Sequence, residues 1–230
     1  DWQAINAFAG SDLRFFIEFP RYFSPAKPPM YITSNYRSHK SIVKIGNNVM
    51  EGKGKPALHK ESYPGEVYKV DLNKFEPTLI EKNRHPGDIF TPAILRLIDK
   101  IINKNGSVVL LSRTNSIPWY TDQKNKKGEK GSGLEKYLGL IRSYFPKNLR
   151  GRININTTHK SKGLEESVVI VVDGTHKRYP FLHPNWVFNQ IFGDTLNKIV
   201  EDERRLFYVA LTRAINFLFI FSEEIDETPF

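Results

Sequence analysis

Short unbroken apolar runs alternate along this chain with stretches whose apolar residues recur every three to four positions. Residues 30–33 read as a short strand. Residues 38–50 read as a helix, with Ser38 as its N-cap and Ile42, Val43, Ile45 and Val49 near one face. A strand over 66–72 follows the turn Tyr63-Pro64-Gly65. Residues 91–103 carry a helical stripe of Ile94, Leu95, Ile98, Ile101 and Ile102. The runs at 108–111 and 168–172 are continuously apolar, as strands buried on both faces must be. Helices are expected over 134–145 and 201–214, and a closing strand over 217–221. Strands separated by helices predict an α/β domain with a largely parallel sheet. No internal repeat is visible.

One stretch breaks the pattern. Residues 121–133 (TDQKNKKGEKGSG) are polar, lysine-rich and hold three glycines. They read as a mobile charged loop or insertion point. They contain no G-x-x-x-x-G-K-[ST], so this is not a phosphate-cradling P-loop.

Composition narrows the picture. With 40% hydrophobic residues in 230, the chain can bury a sizeable core. No apolar run is long enough for a membrane span, and the first residues lack the basic start and apolar core of a signal peptide. Cysteine is absent, which excludes disulfides and thiolate metal sites and fits a reducing, cytoplasmic location. The six histidines show no close ligand spacing, so no metal site is expected on this chain. Lys and Arg number 34 against 25 acidic residues, a formal charge of +9 that favours polyanionic partners, nucleic acid first.

The chemistry is concentrated in four segments, with a fifth near a buried strand. Residues 201–214 read EDERRLFYVALTRA. At about 100° per residue Leu206, Phe207, Ala210, Leu211 and Ala214 share a face. Arg205 then projects on the opposite side, with Tyr208, Val209 and Thr212. Upstream, Thr157-Thr158-His159-Lys160-Ser161-Lys162-Gly163-Leu164-Glu165 is a donor-rich turn before a strand. Hydroxyls, an imidazole and amides near a glycine suit phosphates. Asn35-Tyr36-Arg37-Ser38 sits between strand and helix, where α/β sheets place ligands. The chain opens on DWQAINAFAGSD, and VVLLSRTN spans 108–115.

In this order the five segments resemble motifs of the UvrD-like superfamily 1 DNA helicases, and the resemblance spans Asp1 to Ala214. The 201–214 segment resembles E-x-R-R-L-x-Y-V-A-x-T-R-A, and 157–165 resembles T-x-H-x-[SA]-K-G-L-E. Asn35 to Ser38 is similar to N-Y-R-S. The opening residues resemble a motif usually preceded by V-G-D, of which 1–12 hold only part. The Asp-Trp-Gln start resembles the helicase IV branch. Asn6, Ala7 and Ala9 depart from the residues common in relatives.

The resemblance implies a RecA-like α/β fold over 1–230, the second motor domain of a helicase moving 3′ to 5′ on single-stranded DNA. A large helical domain follows the 108–115 strand in many relatives, whereas only 116–156 intervene here, making 121–133 a reduced insertion site. The resemblance also implies an N-terminal RecA-like domain, missing from this chain, that brings the P-loop and the ligands of Mg²⁺. ATP would bind between the two, and this fragment alone would be inactive. Arg205 is expected as the arginine finger, with Arg204 second, and Arg37 as a further γ-phosphate ligand. Gln3 would sense that phosphate. Tyr36 would stack on adenine, and Glu165, with Gly163 in its turn, would meet the ribose. Phe8, Thr157, Thr158, His159 and Lys162 would touch single-stranded DNA or a single-strand/duplex junction, with base stacking on Phe8 worth about 1–3 kcal/mol. A different class remains open: a nucleic-acid-binding or regulatory module that keeps the fold without motor activity.

Overall fold

In the computed structural model the described residues are 2–5, 12–23, 27, 30–60, 63–116, 133–176, 178–182, 187, 195–223 and 230. The chain runs α1 (Arg14–Ile17), α2 (Phe19–Tyr22), β1 (Ser34–Asn35), α3 (Lys40–Val49), β2 (Leu58–His59), β3 (Glu66–Asp71), α4 (Leu79–Arg84) and α5 (Phe90–Asn105). It continues through β4 (Val108–Ser112), α6 (Gly133–Ser143), α7 (Lys147–Arg150), β5 (Ile153–Thr157), β6 (Glu166–Val171), α8 (Leu196–Leu211) and β7 (Ala214–Ser222).

Five strands form one sheet in the order β3-β7-β6-β4-β5, and every pairing is parallel. Side chains alternate across a strand, so each strand feeds two cores. Val108, Leu110, Val168, Ile170 and Phe219 pack with Phe90, Ile94 and Ile98 of α5 and Tyr137 and Ile141 of α6. Val109, Leu111, Val169 and Leu218 pack on the other side with Ile42 and Val49 of α3 and Leu206, Val209 and Ala210 of α8. The unbroken apolar run of β4 follows from this, since all five of its residues are buried. The α/β class with a parallel sheet flanked by helices is therefore as the sequence predicts.

Four local expectations need correction. Residues 30–33 form no strand: Met30 and Ile32 are almost fully exposed, and only Ser34–Asn35 pair with Leu58–His59. Ser38 does not cap α3. The N-cap is His39, and the Ser38 hydroxyl instead donates to the Ala214 carbonyl at 2.7 Å, fully buried. β5 went unpredicted, because its sequence ININT with Asn154 and Asn156 reads as polar. α8 starts five residues earlier than expected, at Leu196, where the Thr195 side chain accepts from the Lys198 amide. It ends at Leu211, so Arg213 lies beyond the helix rather than on it.

Candidate functional site

Tyr36, Arg37, Gly163 and Glu165 gather where α8 ends and β6 and β7 begin. Two hydrogen bonds anchor the 35–38 segment there. The Ser38 hydroxyl holds the Ala214 carbonyl, and the His39 amide donates to the Ile215 carbonyl at 3.1 Å. Asn35 shapes the turn by accepting from the amides of Arg37 and Ser38, both at 2.9 Å. The turn leaves the Tyr36 ring exposed and directs Arg37 to Glu165, with Nε 2.5 Å from Oε2. Although 35–38 follow a strand, the cluster sits at the amino ends of β6 and β7, not at the carboxyl ends of the main sheet.

Arg213 completes this cluster, and sequence reasoning missed it. Its Nη1 donates to the Leu164 carbonyl at 3.0 Å and its Nε to the Val209 carbonyl at 3.2 Å. The residue is only 2% exposed, and Nη2 has no hydrogen-bond partner. Burial, reinforced by the charge of Arg37, pushes its guanidinium down to about 10. A buried cation with an unused donor is costly unless an anion meets it. Beside it lies a cleft of about 140 Å³, lined by Asn154, Asn156, Ser161, Glu165, Glu166 and Arg213 among others. Gly163, at φ +87°, supplies the left-handed turn that brings Leu164 and Glu165 to this edge. The signal for Arg213 was available: a Thr-Arg-Ala sequence where the apolar helix meets the last strand.

Arg205 and Arg204 stand elsewhere. Arg205 donates to Asp202 one turn back on α8, at 2.8 Å. Arg204 donates to the Val49 carbonyl at 3.1 Å and lies 4.6 Å from the Phe230 ring centre. Neither is joined to Arg37 or Glu165 by a hydrogen bond or ion pair. The helical face expected to be open around Arg205 is also closed, because Tyr208, Val209 and Thr212 are all buried. Gln3 is exposed, next to Trp2, whose ring meets Tyr208 edge-on at 5.3 Å. Phe8 lies outside the described residues, as do 121–132.

The turn of residues 157–162 lies at the opposite, carboxyl end of the sheet. Thr157 and Thr158 are buried. The Thr158 hydroxyl meets Tyr179 Oη at 2.7 Å, and the Thr158 amide donates to the Ser112 carbonyl at 2.9 Å. The two threonines therefore hold the turn rather than face solvent. His159 is half-buried, and Lys162 is exposed. Burial and the Arg113 charge keep the His159 imidazolium below its usual range, against the pull of Glu203. Among the described residues no group of three or more His, Asp or Glu could hold a metal ion. No helix there is long and apolar enough to cross a membrane.

Residues 140–224 match the UvrD-like helicase C-terminal domain. The matched region runs from within α6 through β7. It contains the 157–165 turn, α8 and Arg213, and leaves Tyr36 and Arg37 outside. The whole chain is also similar to a probable DNA helicase of Mycoplasma pneumoniae, 27% identical over 233 residues, which cover 97% of this chain. The match takes in only 37% of that relative's length. Among solved structures, the C-terminal domain of a possible DNA helicase from Lactobacillus plantarum aligns over 85% of this chain and 91% of its own. Its TM-score is 0.40 and its identity 13%.

Proposed function

We propose that this chain is the second, RecA-like motor half of an ATP-dependent DNA helicase. The observation that supports it is the meeting of Arg37, Glu165 and Arg213 beside the exposed Tyr36, at one edge of a sheet whose later strands lie in the UvrD-like region. An orphaned, buried guanidinium nitrogen beside a polar cleft suits an anionic ligand, and a bare aromatic face suits a purine. These residues fit ATP. Mg²⁺ has no acidic cluster here among the described residues, and its ligands are assigned to an N-terminal P-loop domain of the same protein.

ATP, when bound, supplies a phosphoryl group for transfer to water. Arg37 and Arg213 would hold its outer phosphate oxygens, Tyr36 would orient the base, and Glu165 would accept from the ribose hydroxyls. Two planar guanidinium groups stabilise charge spreading over the transferred phosphoryl. The finger role expected of Arg205 passes to Arg213, since Arg213 shares the edge with Arg37 and Arg205 is engaged by Asp202. Gln3 would sense the outer phosphate, a role that rests on the family resemblance. On the opposite end of the sheet, His159 and Lys162 meet single-stranded DNA, and Thr157 and Thr158 hold the turn; base stacking is assigned to Phe8 on the family resemblance. Closure and reopening of the two domains would move the protein along a strand, 3′ to 5′.

The test is steady-state ATP hydrolysis by the full-length protein, with and without single-stranded DNA. Turnover stimulated by DNA and abolished by Arg213→Ala is expected. A wild-type protein that binds DNA without hydrolysing ATP would instead make this a non-motor module.

A further inference from the structure

At the carboxyl end of the sheet a buried ion pair joins two elements that the proposed chemistry does not use. Arg113 follows β4 directly. Its Nε and Nη2 lie 2.8 and 2.5 Å from the two carboxylate oxygens of Glu203 on α8. The two side chains are 16% and 9% exposed. Such a two-pronged fork fixes rotation as well as distance. The pair is further clasped by the Phe181 amide, which donates to Glu203 at 3.2 Å, and by the Phe181 ring, 5.3 Å from the guanidinium. The Arg113 amide itself donates to buried Asp173 at 2.8 Å.

The contacts close a ring through the domain. The end of β4 holds the 157–162 turn through the bond from the Thr158 amide to the Ser112 carbonyl. That turn runs on to Leu164, whose carbonyl accepts from Arg213. Arg213 follows α8 by two residues, and α8 returns to the end of β4 through Glu203 and Arg113. Glu203 lies eight positions before the end of α8 at Leu211, about 12 Å at the helical rise, so the stiff rod of α8 spans most of the distance between the two ends.

We infer that Arg113 and Glu203 are positioning residues that transmit occupation of the nucleic-acid end of the sheet to Arg213 through α8. This rests on the proposed helicase function. Cutting the ring at the pair leaves the bonds of Arg213 to Leu164 and Val209 in place, so the phosphate edge keeps its unstimulated geometry. What is lost is the reference that ties α8 to the turn bearing His159 and Lys162.

The experiment compares Arg113→Lys and Glu203→Gln with wild type in the full-length protein. It measures ATP turnover without DNA, turnover with saturating single-stranded DNA, and DNA affinity at fixed salt. Thermal melts identify folded variants. The expected result is unchanged basal turnover with stimulation by DNA reduced about 10-fold, within the usual range of coupling between sites. Lysine keeps the charge without the fork, so it separates geometry from electrostatics. Equal loss of basal and stimulated turnover, or stimulation left intact in both folded variants, would overturn the inference while the helicase reading stands. A wild-type protein without DNA-stimulated hydrolysis overturns the helicase reading, and the inference falls with it.

Discussion

Arg37 Nε lies 2.5 Å from Glu165 Oε2, across 128 positions of sequence. The pair joins a turn before α3 to a turn before β6, and both partners are substantially open to solvent. Ion pairs of that exposure contribute only about 0–1 kcal/mol to stability. Their value lies in aim rather than in holding the fold.

Arg37→Ala is therefore expected to leave the melting temperature almost unchanged and to lower ATP turnover by about 10³-fold in the full-length protein. Thermal melts beside steady-state hydrolysis check this. A large drop in melting temperature with normal turnover would make Arg37 a structural residue.

Arg205 and Arg213 separate cleanly by environment. Arg213→Ala should lower stimulated turnover by about 10³-fold or more, whereas Arg205→Ala, which removes the contact with Asp202 and some packing on α8, should retain most of it. Arg37→Ala combined with Arg213→Ala should be non-additive, because both act on one phosphate. If Arg205→Ala proves the more damaging, the finger belongs to α8 and not to its end.

Lys162 is exposed at the 157–162 turn, and its charge is the kind that displaces a condensed counterion. Lys162→Ala should weaken single-stranded DNA binding and shallow the log–log salt dependence by about one. A change in affinity with the slope preserved would place Lys162 away from the phosphates.

Asp173 supplies a pH signature. It is 2% exposed, and burial raises its carboxyl from 3.8 to about 6, against the donations of the Arg113 amide and the Ser112 hydroxyl. Between those values the folded state holds a proton that the unfolded chain releases. The stability this gives is complete below about pH 4 and is lost as pH rises through about 6, a change of about 2–3 kcal/mol. Asp173→Asn cannot titrate. Urea unfolding of both proteins across pH 4–8 should show wild type losing ground to the variant as pH rises, and a flat difference would assign the slope to other groups.

The sequence exposed the buried strands because burial on two faces leaves a continuous apolar run, as in β4 and β6. It hid β5, where Ile153 and Ile155 face one core while Asn154 and Asn156 turn to the polar cleft, with Asn154 accepting from Arg142 at 2.9 Å. Arg37 and Glu165 were legible because each stands in a short motif. Arg213 was hidden by an error of three residues in a helix end. Extending the helix to 214 made Arg213 one more helical arginine, whereas the real end at Leu211 turns it into the cleft. Thr157 and Thr158 looked like surface donors because sequence does not say that Thr157 accepts from the Lys160 amide or that Ser112 and Tyr179 already occupy Thr158.

β4 hydrogen-bonds to β5 on one side and β6 on the other, and its alternate residues enter both cores. Neither layer of helices can peel away without exposing the same strand. The sheet and both its coverings therefore melt as one cooperative unit, and the amides of Val109 and Leu110 exchange with solvent only when the whole unit opens.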